Sequence, residues 1–122
     1  MNLGFKMNSI REGKQATRLS DSEKHGILSG VEDVFRFIMS DWMSISVFGS
    51  RTDLKKKGGD IDLYLKCTPI EDLNRTKRQL LLAIKKSIGD QKIDLVIDDG
   101  NQDLGAFANI IKKEKLLLWE KT

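Results

Sequence analysis

The sequence predicts one α+β domain, and three observations predict it. A chain of 122 residues is long enough for a single hydrophobic core and too short for two. Residues 60–66 (DIDLYLK) and 92–98 (KIDLVID) alternate polar and apolar side chains with the period of a half-buried strand. The stretches before and between them repeat their apolar residues every three or four positions, the period of an amphipathic helix.

The elements follow in chain order. Residues 1–19 mix Gly, Asn, Lys, Arg and single apolar residues without a sustained period, and are expected to form a mobile basic arm. The folded domain is expected over residues 20–122. Ser20, Asp21, Ser22 and Glu23 supply an N-cap and first-turn acids, and Ile27, Leu28, Val31, Val34, Phe35, Ile38 and Trp42 then mark one helical face. Residues 44–48 (SISVF) are β-branched and aromatic and run into Gly49-Ser50, so a strand should end there in a tight turn. A polar loop with or without a short helix follows over residues 51–59, then the strand at 60–66. After Pro69, Leu73, Leu80, Leu81, Ile84 and Ile88 share a helical face that Gly89 terminates, and the strand at 92–98 comes next. Residues 104–113 read as a third helix, and LLLWE as a short apolar segment that closes the core.

Composition removes several classes of function. With 39% hydrophobic and 32% charged residues the chain is neither disordered nor a membrane protein, and its longest aliphatic run, from Leu80 to Ile84, is far too short to cross a bilayer. The N-terminus lacks the apolar region and cleavage site of a secretory signal, and Cys67 has no second cysteine to pair with, so a cytoplasmic location is expected. The net charge of +3 lies in the arm, where Lys6, Arg11, Lys14 and Arg18 face Glu12 alone. The remaining residues carry 17 basic and 17 acidic groups, which argues against direct nucleic-acid binding by the domain.

Chemistry concentrates in the acids of the two alternating strands. Period two places Asp60 and Asp62 on one strand face, with Ile61, Leu63 and Leu65 on the other, and places Asp94 on the polar face of the later strand. If the strands are neighbours, the three carboxylates form one cluster, and such a repelling cluster suits a hard cation such as Mg²⁺. Three carboxylates are the usual requirement of a two-metal phosphoryl-transfer site. Gly49-Ser50-Arg51 directly follows a strand: Gly49 lets backbone amides approach a phosphate, while the Ser50 hydroxyl and Arg51 guanidinium can bind its oxygens.

VFGSR (residues 47–51), GGDIDLYL (58–65), KIDLVI (92–97) and AFANIIKKEKLLLWE (106–120) together resemble the minimal nucleotidyltransferase family of the DNA polymerase β superfamily. The resemblance spans roughly residues 20–122. It implies a polymerase β-like fold, a small mixed β-sheet packed against helices. It also implies transfer of a nucleotidyl group, often AMP from ATP, to a hydroxyl. Many members act as antitoxins that modify or bind an all-helical HEPN ribonuclease toxin. On this reading Asp60 and Asp62 bridge two Mg²⁺ ions, Asp94 binds the one that activates the nucleophile, and Gly49, Ser50 and Arg51 hold the triphosphate. The chain departs from the pattern at Gly59, where a serine commonly precedes the DxD, at Leu54, where glycine is common, and in the short gap from Ser50 to Asp60. The rival reading is an antitoxin-like binding module that acts by protein contact, its site weak or silent.

Other candidates read as structural. Lys55, Lys56 and Lys57 form a solvated run, Asp98 and Asp99 precede Gly100 as turn residues, and His25 is a surface or packing residue of the first helix. Cys67 has neither a Cys nor a His near it in sequence to suggest zinc or thiol chemistry, and Trp42 and Trp119 read as core.

Overall fold

The computed structural model of the chain describes residues 10–36, 42–101 and 103–121. It is an α+β fold of five strands and three helices: β1 (Ile10–Glu12), α1 (Asp21–Phe35), β2 (Met43–Phe48), β3 (Ile61–Cys67), α2 (Leu73–Ile88), β4 (Ile93–Asp98), α3 (Phe107–Glu114) and β5 (Leu116–Lys121). The strands form one mixed sheet in the order β1-β5-β2-β3-β4. Only β3 and β4 run parallel, joined by the α2 crossover, and the remaining pairs are antiparallel.

Alternation sorts the side chains. Ile45 and Val47 of β2, Ile61, Leu63 and Leu65 of β3, and Leu95 and Ile97 of β4 enter the main core, where Ile27 and Val31 of α1 and Leu80 and Ile84 of α2 meet them. Each fully buried aliphatic side chain of this kind stabilises the fold by roughly 1.5–3 kcal/mol. The two helices approach closely at Gly30, where an added Cβ would lie 2.8 Å from the Ile84 backbone nitrogen. Helix α1 starts in a capping box: Ser20 accepts the Glu23 N–H at 3.1 Å, and the Glu23 carboxylate accepts the Ser20 N–H at 2.8 Å. At the start of α2, Asp72 accepts the Arg75 N–H at 3.1 Å.

The opposite sheet face carries Asp62, Tyr64, Asp94 and Val96, and it is not left wholly to water. Helix α3 lies over it and builds a second, smaller core from Phe48, Tyr64 and Ile111. Tyr64 donates to the Asp98 carboxylate at 2.5 Å, and the Lys115 ammonium stands 5.4 Å from the centre of its ring.

One expectation changes. The arm is part of the fold from residue 10 onward: β1 pairs with β5, and Leu19 is buried in the core. Composition hid this because a three-residue strand shows no period, and the partner that holds it lies more than a hundred residues away. Residues 1–9 of that arm, and Ile38 of the expected first helix, lie outside the described residues. The LLLWE segment closes the core as expected, with Leu118 and Trp119 buried, and does so as β5, between β1 and β2 in the sheet. Among the described residues, no helix is long and apolar enough to cross a membrane.

Candidate active site

Asp62 and Asp94 are register partners on the adjacent parallel strands β3 and β4, so both carboxylates leave the sheet on the α3 side. Asp62 is half-buried and Asp94 exposed. The Asp62 carboxyl is pushed up to about 6, first by burial, then by the charge of Asp94 and a hydrogen bond shared with it, and then by Asp60 and Glu114. Every one of these influences acts in the same direction, and no cation offsets them. Asp60, one residue before β3, is half-buried and lies 3.5 Å from the Lys92 ammonium.

The turn after β2 stands at the same end of the sheet. Phe48 is the register partner of Asp62, and a single 3₁₀ turn, Gly49–Thr52, follows. Gly49 has φ +73°, and a Cβ there would lie 2.3 Å from the Asp62 Oδ2. No other residue satisfies both demands, the backbone sign and the close approach. Thr52 closes the turn by donating its hydroxyl to the Gly49 carbonyl at 2.6 Å. The Ser50 hydroxyl faces Gly59, whose own added Cβ would meet it at 2.5 Å with φ +93°. The φ of +93° is what favours glycine over a serine at position 59, since the rotatable Ser50 hydroxyl could move aside from a Cβ.

Arg51 is engaged within the protein. Its side chain is 12% exposed and turns inward, donating to the Arg18 carbonyl at 2.7 Å and the Gly59 carbonyl at 3.3 Å, with Glu23 at 3.7 Å. Burial alone would raise the Glu23 carboxyl. The Ser20 backbone N–H, Gln91, the Arg51 charge and the Ser20 hydroxyl together bring it below its ordinary value. Through Nε and Nη1 the guanidinium braces the loop.

Two residues at the site were not legible in the sequence. Glu114, the last residue of α3, accepts the Gly49 N–H at 3.3 Å, so a carboxylate rests on the amide that a phosphate oxygen would use. No pattern marks it, since it is one charged residue among Lys112, Lys113 and Lys115. The other is Arg18, whose guanidinium reaches the loop after the turn.

The remaining candidates stay apart from the acids. Lys55, Lys56 and Lys57 are exposed. His25 donates from Nδ1 to the Asp21 carbonyl at 2.9 Å, and its ring lies tilted against that of Trp119. Burial, with Asp99 and Asp98 behind it, pushes the Cys67 thiol up to about 11, so it keeps its proton at neutral pH. Asp99 is a buried structural acid that accepts the Ile70 N–H at 3.0 Å and the Asn101 N–H at 3.1 Å.

Among the described residues no three His, Cys, Asp or Glu side chains are grouped so as to hold a metal ion where they stand. The Asp62–Asp94 pair nevertheless fits one by its chemistry. Two carboxylates that repel strongly enough to raise a pKa are relieved by a hard cation that takes their oxygens. Asp60 joins them only if it exchanges its partly exposed contact with Lys92, an interaction of small value. No family model and no curated protein matches the chain.

Proposed function

We propose that this chain is a Mg²⁺-dependent nucleotidyltransferase that transfers AMP from ATP to a hydroxyl of a partner protein, and that it serves as the antitoxin to an all-helical HEPN-type toxin. One observation carries the reading: the Asp62–Asp94 pair, charged against itself, stands beside a glycine turn whose Gly49 Cα approaches Asp62 too closely for any side chain. Paired strand carboxylates next to a phosphate-sized backbone turn are what nucleotidyl transfer needs.

Asp62 and Asp94 would hold the cations, with Asp60 completing the set as in the family that the sequence resembles. Bound Mg²⁺ neutralises triphosphate charge and lowers the pKa of a coordinated hydroxyl. The Ser50 amide and hydroxyl bind phosphate oxygens, and the Gly49 amide joins them once phosphate displaces the Glu114 carboxylate from it. Arg51 contributes by bracing the loop through its Nε and Nη1. The acceptor oxygen forms a bond to the α-phosphorus, the bond to pyrophosphate breaks, and the hydroxyl proton passes to the carboxylates, of which Asp94 is the exposed one. Asp94 is exposed at the site, which favours a protein acceptor whose own surface closes it.

The second reading, an antitoxin that acts by contact, is favoured by the inward Arg51 and by Asp60 facing Lys92. Incubating the protein with a candidate partner, ATP and Mg²⁺, followed by intact-mass spectrometry, separates the two. A partner heavier by one or more AMP units supports transfer, and a tightly bound but unmodified partner replaces it with the contact antitoxin.

A further inference from the structure

The loop that follows the glycine turn has no anchor of its own. Residues 53–59 are all exposed, so no side chain from them enters a core. Its internal bonds are local: the Asp53 N–H reaches the Ser50 carbonyl at 3.2 Å, the Lys56 N–H the Asp53 carbonyl at 3.2 Å and the Lys55 N–H the Asp53 carboxylate at 3.0 Å. Such a segment opens readily unless something outside it ties it down.

Arg18 does so. Its Nε donates to the Asp53 carbonyl at 2.8 Å, and its Nη2 donates to the Ser50 carbonyl at 3.0 Å and to the Gly58 carbonyl at 2.8 Å. The main chains are joined as well, since the Arg18 N–H donates to the Arg51 carbonyl at 2.9 Å and the Arg18 carbonyl accepts the Arg51 Nη1 at 2.7 Å. The planar guanidinium offers several donors in fixed directions, which suits three converging carbonyls as an ammonium does not. The segment carrying Arg18 is held on both sides: Gly13 donates to the Leu118 carbonyl at 2.9 Å, and Leu19 is buried in the core just before the α1 cap.

We propose that Arg18 is the positioning residue of the phosphate turn: by collecting the Ser50, Asp53 and Gly58 carbonyls on one guanidinium, it holds the Gly49–Ser50 backbone in its nucleotide-binding shape. This rests on the nucleotidyltransferase reading. It assigns the task to a residue far before the turn, in the stretch whose composition resembles a tail.

The test uses the full chain as wild type, Arg18→Ala and Arg18→Lys, with Arg11→Ala as the control that removes a neighbouring cation outside the loop. Two quantities are read well below the melting temperature: the rate of native-state tryptic cleavage after Lys55, Lys56 and Lys57, and the Kd for Mg·ATP by titration calorimetry. Arg18→Ala is expected to be cut in the loop, and to bind Mg·ATP more weakly, each by about tenfold or more, the scale of lost charge-assisted hydrogen bonds. Arg18→Lys should fall between, and Arg11→Ala should match wild type. A general loss of stability would lower the melting temperature and leave the Kd of the folded protein unchanged, so the Kd separates positioning from mere support. Should Arg18→Ala fail to fold, Arg18→Lys decides by the same two readings. A folded Arg18 variant with wild-type cleavage or wild-type Kd overturns the proposal while the nucleotide reading stands. A wild type that binds no Mg·ATP overturns the nucleotide reading, and the positioning role with it.

Discussion

Replacing Asp62 with asparagine is expected to stabilise the metal-free protein at neutral pH. The Asp62 carboxyl is raised from an ordinary value of 3.8 to about 6, chiefly by burial and by Asp94. A raised carboxyl binds its proton more tightly in the folded state than in the unfolded one, so stability falls as pH rises from about 4 to about 6 and the full cost remains above that. At about 1.4 kcal/mol per pH unit the shift corresponds to roughly 3 kcal/mol, and screening at this half-exposed position reduces it to about 1 kcal/mol. Asparagine keeps the shape and a hydrogen-bond donor toward Asp94 while removing the charge. The variant should therefore melt about 3–6 °C above wild type at neutral pH, by the usual scaling for a domain of this size. Thermal melts followed by circular dichroism in the presence of a chelator, repeated across the acid range, give the difference between the two proteins, in which the other carboxylates largely cancel. The gap should close near pH 4, where Asp62 is protonated in both states, and open as pH rises to about 6. Added Mg²⁺ should narrow it at neutral pH by stabilising wild type alone. A variant less stable than wild type at neutral pH, or a gap independent of pH, would refute repulsion as the force acting on Asp62.

Two further outcomes follow from the same geometry. Gly49→Ala combines φ +73° with a Cβ 2.3 Å from the Asp62 Oδ2, so it should cost about 1–3 kcal/mol in denaturant unfolding and abolish Mg·ATP binding in calorimetry. Asp99→Ala leaves the Ile70 and Asn101 N–H groups without their carboxylate and should lower stability by about 1–3 kcal/mol, with Mg·ATP affinity unchanged because Asp99 lies outside the carboxylate pair.

Local periodicity was sufficient for β3, β4, α2 and the start of α1. The alternation in DIDLYLK and KIDLVID specified which side of each strand is buried, because a period of two leaves a strand only one apolar face. The same alternation put Asp62 and Asp94 on the polar face, and their parallel register then set them side by side. The spacing of Leu80 and Ile84, and the cap at Ser20, specified α2 and the start of α1 for equally local reasons. What only the tertiary structure decided is which groups meet across long separations. Arg51, read as a phosphate ligand, is drawn inward by the Arg18 and Gly59 carbonyls, Asp60 finds Lys92 at the head of the neighbouring strand, and Glu114 arrives on the Gly49 amide from the far end of α3. A segment with the composition of a loose arm became a strand and a brace because β5 and the loop at 50–58 offered it hydrogen-bond partners. Hydrophobic pattern is a property of neighbours along the chain and survives in the sequence. A hydrogen bond between charged donor and distant carbonyl depends on where packing has carried both, and no local spacing records that.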